Sequence, residues 1–181
     1  MPLMQPGILL ITGIMAAGKS TIAQRAAERL EKSVHLRGDI FRRMIVSGRA
    51  EMTPDAPEEA VHQLELRYRL ATQTARSYFN AGFTVVYQDI ILGHYLRTTA
   101  DQLRDLPLYV VVLCPSPEVV AQREAGRGKV GYGDWTPAML DAGLRADTPR
   151  LGLWLDSSGF TVDETVDTIL AQANQARFHK P

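Results

Sequence analysis

Gly13-Ile14-Met15-Ala16-Ala17-Gly18-Lys19-Ser20 is the stretch on which the fold turns. Ahead of it runs Gly7-Ile8-Leu9-Leu10-Ile11-Thr12, a short segment apolar at every second and every adjacent position. Such a run reads as a strand buried on both faces, hence central in a sheet. Behind it, Ile22, Ala23, Ala26, Ala27 and Leu30 recur at helical spacing, so a helix is expected from about Lys19 to Leu30. The eight residues between fit the spacing G-x-x-x-x-G-K-[ST] without a mismatch. Glycines at both ends let the backbone curl until several N–H groups point inward, and the helix start adds partial positive charge. A strand, a curled turn and a helix in that order make an anion cradle.

Outward from the cradle the alternation continues. A short strand near Ser33 to Leu36 leads into a small helix carrying Ile40, Phe41, Met44 and Ile45. Met52 to Pro57 reads as a loop, followed by a long helix over about Glu58 to Asn80 that Gly82 is placed to stop. Thr84 to Tyr87 gives a third strand, Tyr95 to Arg104 a helix, and Leu108 to Leu113 a fourth strand. Pro117 opens a further helix that runs out at Gly126. The segment Gly126 to Gly133 is too glycine-rich for regular structure, and Leu151 to Leu155 is a weak fifth strand. Thr161-Val162-Asp163-Glu164 is a capping box that starts the last helix. Strands separated by helices predict an α/β protein, a parallel sheet covered on both faces.

The composition bounds what such a protein does. At 181 residues the chain has room for one domain of about 150 residues with a small insertion. Hydrophobic residues at 45% and charged residues at 22% support a packed core rather than disorder. Lys plus Arg and Asp plus Glu both number 20, which argues against a surface built for nucleic acid or anionic membrane. The single cysteine, Cys114, forms no internal disulfide and reads as a small buried hydrophobe. No basic residue precedes the first apolar run and no apolar stretch nears the ~18–20 residues of a membrane span, so a cytoplasmic location is expected.

The cradle points to a nucleoside triphosphate. Gly13, Ala16, Ala17, Gly18 and Thr21 are expected to frame the phosphates, Lys19 to reach the terminal ones, and the Ser20 hydroxyl to hold Mg²⁺. No Asn-Lys-x-Asp occurs, and Asp156-Ser157-Ser158-Gly159 comes too late to be a switch, so the chain does not read as a GTPase. A small kinase fits its length better. Asp39, in Leu36-Arg37-Gly38-Asp39, lies at the C-terminal edge of the sheet, where ligands bind in open α/β folds. It is a candidate base for a substrate hydroxyl, with Arg42 or Arg43 as partners for an acidic group; its alternative is a helix N-cap. Asp89, ending the third strand, is a candidate for Mg²⁺ or substrate, or else a capping loop residue. Arg123, Arg127 and Lys129 suit a cationic lid over about 123–136, with Arg127 the foremost candidate to stabilise the transferring phosphoryl group. Ser157 and Ser158 are positional candidates near the adenine. His94 reads as a surface residue, Tyr68, Tyr78 and Phe79 as core or pocket wall, and Trp135 and Trp154 carry no signal.

These motifs together resemble the P-loop kinases of the nucleotide-kinase-like group, most closely the chloramphenicol phosphotransferase-like family, over most of the chain. The resemblance rests on Gly13 to Ser20, Gly38-Asp39, Val85-Val86-Tyr87-Gln88-Asp89-Ile90-Ile91-Leu92-Gly93, and Arg123 with Arg127. It departs at Gln88, where an acidic residue is usual. It implies a P-loop NTPase-type α/β/α fold whose five-stranded parallel sheet runs 2-3-1-4-5, with a lid over ATP and Asp39 as the base. Gly38 to Arg42 is also similar to adenylylsulfate kinase, and the overall plan to gluconate-type kinases.

The expectation is therefore an enzyme that uses ATP and Mg²⁺ to phosphorylate a hydroxyl of a small molecule. A nucleotide kinase, for which Arg42, Arg43 and Arg49 would serve, a polynucleotide 5′-kinase and an ATP-binding regulatory module remain as alternatives.

Overall fold

The computed structural model describes residues 5–127 and 133–178. In chain order the elements are β1 (Ile8–Thr12), α1 (Lys19–Glu28), β2 (Ser33–Arg37), α2 (Asp39–Arg43), α3 (Glu58–Asn80), β3 (Thr84–Gln88) and α4 (His94–Gln102). There follow β4 (Leu108–Leu113), α5 (Pro117–Gly126), α6 (Pro137–Asp147), β5 (Leu153–Leu155), α7 (Val162–Ala171) and the short α8 (Ala173–Ala176).

All five strands are parallel, in the order β2-β3-β1-β4-β5. Ile8 of β1 stands level with Val85 of β3 on one side and Leu108 of β4 on the other. Helices cover both faces, which is why every residue of β1, β3 and β4 is buried and why those strands lack polar alternation. The edge strand β2 has only Leu36 buried, as an edge position requires. This is a P-loop NTPase-type α/β fold with the expected strand order.

One local difference from the sequence reading is instructive. α6 was not among the expected helices: of its eleven residues only Asp141 and Leu144 are buried, so it shows almost no apolar stripe. Its start nevertheless obeys capping chemistry, with the Thr136 hydroxyl accepting from Met139 N–H (3.1 Å) and Pro137 in the first turn. The capping box at Thr161 forms as its spacing predicts, the Glu164 carboxylate accepting from Thr161 N–H (2.7 Å). Among the described residues no helix is long and apolar enough to cross a membrane.

β3 and β4 leave β1 on opposite sides, so the connections after the strands diverge above the C-terminal end of β1. That divergence opens a crevice at the sheet edge, the usual ligand position of such folds. Lys19, Ser20, Asp39, Asp89, Arg123 and Arg127 all line it.

Candidate active site

The cradle is built by backbone conformation. Ala16 (φ 61°) and Gly18 (φ 94°) both adopt the left-handed region, curling the chain between β1 and α1. Glycine adopts that region without strain; Ala16 does so at some cost, held by its burial. Gly13 and Ala17 are buried beneath the loop, while Ser20 and Thr21 stand exposed on the first turn of α1.

Lys19 is the electrostatic centre. It is buried, its ammonium donates to the Ile14 carbonyl (2.7 Å), and among the described residues no carboxylate touches it directly. Burial lowers its pKa from 10.5 to about 7; Asp89 and Asp39 pull it upward from a distance, and Arg127 and Arg67 push it further down. Among the described residues such an amine has no anionic partner in contact, and a phosphate tail in the cradle would supply one.

Ser20 receives a hydrogen bond from the Gln88 side-chain amide (3.1 Å), which steers the hydroxyl at the crevice floor. Mg²⁺ keeps several waters and needs one or two protein oxygens besides phosphate. An exposed, oriented hydroxyl at the mouth of the cradle suits that demand. Among the described residues no group of three or more His, Cys, Asp or Glu is clustered to cage a metal by protein alone.

Asp89, the second expected metal ligand, is enclosed otherwise. Arg67 of α3 grips its carboxylate with two N–H groups, Nε at 2.9 Å and Nη2, and the Ile90 N–H adds a third donor (2.8 Å). The Arg67 side chain is 12% exposed and that of Asp89 not at all. Burial pushes the Asp89 carboxyl up, and Arg67, the Ile90 N–H and the Lys19 charge draw it back. A metal bound there directly would have to part a guanidinium from a desolvated carboxylate. Gly38 makes this arrangement possible: a Cβ at that position would overlap the Asp89 carboxylate.

Asp39 sits in the first turn of α2, but no side chain caps that helix, so the N-cap alternative is not realised. Its carboxylate instead lines the crevice and pairs with Arg43 (2.6 Å). Arg42 pairs with Glu51 from the loop before α3, and Arg49 reaches the same carboxylate (3.3 Å). Arg123 donates to the Ala17 carbonyl (3.2 Å), bringing a guanidinium onto the cradle, and Arg127 lies 3.7 Å from Glu124 while facing the crevice. Residues 128–132 of the expected lid, Lys129 included, lie outside the described residues.

Three groups escaped the sequence reading. Arg67 left one signal, a cation four residues before the buried Ala71 on the core-facing side of α3. Trp135 donates its indole N–H to the Met52 carbonyl (3.2 Å), tying the start of α6 to the far wall. Glu51 carried no signal, since only the fold brings it to Arg42. His94 is exposed at the start of α4, as a surface or helix-start residue is expected to be, and stacks on Tyr95 (4.1 Å between centroids) beside the crevice. Cys114 is buried, in keeping with its reading. The Ser158 hydroxyl accepts from the Ser116 N–H (2.7 Å), which spends it on loop structure.

Residues 8–146 match the family described as AAA domain. A search of curated proteins gave no match. Among solved structures, a tunicamycin resistance protein of Deinococcus radiodurans superposes with a TM-score of 0.69 at 19% identity, over 98% of this chain and 100% of that one. A sugar kinase of Janibacter sp. HTCC2649 gives 0.67 at 19% identity, over 95% and 96%. A gluconokinase of Sinorhizobium meliloti 1021 gives 0.63 at 20% identity, over 94% and 93%. At these identities the likeness is one of fold.

Proposed function

The chain belongs to the AAA-domain family, and from that premise we propose that it is an ATP-dependent phosphotransferase acting on a hydroxyl of a small molecule. The observation that carries this reading is the placing of Lys19 and Asp39 on one crevice. One is a buried amine at a phosphate cradle, ready to take a proton when an anion arrives; the other is a carboxylate on the same crevice. Neighbours in fold that are named as kinases support it.

The loop N–H groups from Gly13 to Ser20 and the Lys19 ammonium hold the triphosphate. Ser20 would hold Mg²⁺, which when bound neutralises charge between the outer phosphates. Asp39 accepts the proton of the acceptor hydroxyl as its oxygen attacks the γ-phosphorus, and ADP leaves. Arg43 releases that carboxylate when the acceptor arrives; the pair is solvent-exposed and therefore weak. Arg127 and Arg123 stabilise the charge spread over the transferring group, with Arg123 also fixing the cradle backbone. Phosphoryl transfer asks chiefly for such positioning and charge stabilisation. Asp89 acts through Arg67, anchoring α3 against the end of β3.

The test is incubation with γ-labelled ATP, Mg²⁺ and a panel of hydroxylated compounds, nucleoside monophosphates and single-stranded oligonucleotides. Label is expected on a hydroxylated compound. Asp39→Asn should lower that turnover by about 10²–10⁴-fold while nucleotide binding survives. Full turnover in this variant would remove Asp39 as the base.

A further inference from the structure

We infer that a hollow between α3 and α4 is a second binding site, apart from the crevice, for a compact zwitterion: a free α-amino acid. The inference goes beyond the phosphotransferase reading and does not depend on it.

Helical period sets the two faces that meet there. Glu65, Tyr68, Arg69 and Thr72 recur at i, i+3, i+4 and i+7 on α3, and Tyr95, Thr98, Thr99 and Gln102 do the same on α4. The facing stripes of two packed helices are normally apolar; this seam is mostly polar. It is bridged at one point, where the Thr72 hydroxyl donates to Gln102 Oε1 (2.8 Å). Beside that bridge the seam is unfilled, leaving a hollow of about 270 Å³. Sites for drug-sized ligands run to roughly 300–1,000 Å³, so this one has room for a single compact molecule.

The polar groups around the hollow have capacity to spare. Glu65 and Arg69 carry opposite charges one turn apart, in an order and at a spacing that favour a mutual ion pair. Neither side chain is in an ion pair or a hydrogen bond among the described residues. With its Oε1 taken by Thr72, Gln102 keeps its NH₂ to donate. The Thr98 hydroxyl gives its hydrogen to the His94 carbonyl (3.2 Å) and keeps lone pairs to accept. Burial, and then the Glu65 charge, push the Tyr95 phenol up, so it remains a protonated donor at neutral pH.

An α-amino acid answers this set in one molecule. Its ammonium matches Glu65 and the Thr98 oxygen, and its carboxylate matches the Arg69 guanidinium and the Gln102 NH₂. A compound of one charge would leave either Glu65 or Arg69 unanswered and meet the other as a like charge. For the side chain there is an aromatic wall: Tyr95 lies 5.5 Å from Tyr68 and 4.1 Å from His94 between ring centroids. Those three rings also line the crevice, so they form the partition between it and the hollow. Glu65, Arg69, Thr98 and Gln102 line the hollow alone.

Matched probes test this on the full chain, ¹⁵N-labelled, with a non-hydrolysable ATP analogue and Mg²⁺ present to occupy the cradle. L-Phenylalanine is titrated against 2-phenylethylamine and 3-phenylpropanoate, which each carry one of its two charges. L-Phenylalanine is expected to move the amide resonances of residues 65–69 and 98–102, and to bind about tenfold tighter than either relative. Arg69→Gln should abolish the advantage over 2-phenylethylamine, and Glu65→Gln the advantage over 3-phenylpropanoate, each weakening L-phenylalanine about tenfold. Both replaced side chains are exposed and outside the crevice, so neither change touches the core or the cradle. The inference is overturned by unmoved resonances at those positions up to about 20 mM ligand, by equal affinity for the three probes, or by unchanged affinity in either variant. None of these outcomes bears on whether ATP is bound or its phosphoryl group transferred.

Discussion

The role proposed for Lys19 makes nucleotide binding a proton-linked event. In the empty site, burial lowers its pKa to about 7 against 10.5 when exposed. At 1.36 kcal/mol per unit, charging the buried amine costs about 5 kcal/mol relative to water. The sign follows from which state holds the proton. Between pH 7 and 10.5 the unfolded chain keeps it and the folded one does not, so the empty protein gains stability as pH rises through that window and loses it as pH falls to 7. A bound triphosphate places negative charge against the ammonium and restores its affinity for the proton. At pH 8, one unit above the folded value, about nine-tenths of Lys19 is neutral before binding, so binding should take up about 0.9 proton. At pH 6 the uptake by this group should be near 0.1. Calorimetry of the non-hydrolysable ATP analogue with Mg²⁺, in buffers of different ionisation enthalpy, reads the number directly. Lys19→Met should abolish the pH 8 uptake. Uptake below about 0.2 proton at pH 8 in the unsubstituted protein would refute a neutral buried amine in the empty cradle.

Two further predictions concern the ion pair behind the site. Arg67→Met leaves the Asp89 carboxylate buried and unpaired, and should cost about 3–5 kcal/mol of stability by urea denaturation. Adding Asp89→Asn should return most of that loss, and a loss under about 1 kcal/mol in the single variant would deny the pair its structural role. Gly38→Ala forces a Cβ onto the same carboxylate and should cost about 1–3 kcal/mol; a melting temperature unchanged within error would contradict the close approach.

The fold was legible because its signals are local and periodic. β1, β3 and β4 are short apolar runs, and a strand buried on both faces must look like that. The cradle was legible for a related reason: its chemistry is done by eight consecutive residues, so spacing in sequence is spacing in space. α6 was hidden because it packs through two residues only, and no amphipathic stripe is needed to hold a helix that covers so little core. Its cap, Thr136 with Pro137, was the available sign.

The candidate site divides along the same line. Gly13, Lys19, Ser20 and Asp39 were accessible by pattern, since a motif or a strand end places each of them. For Asp89 the sequence supplied the position and not the partner: Arg67 lies 22 residues away on another element. The pairing of Arg42 with Glu51, and the bridge from Trp135 to Met52 across 83 residues, belong to the same class.

By itself, the sequence determined a parallel α/β sheet and a phosphate cradle at the first turn, because backbone geometry and hydrophobic period are written in neighbouring residues. Only the tertiary structure decided which charges around the crevice are already paired and which of its walls are apolar. Electrostatic pairing depends on distances of a few ångströms between side chains that the chain order leaves far apart, and folding alone sets those distances.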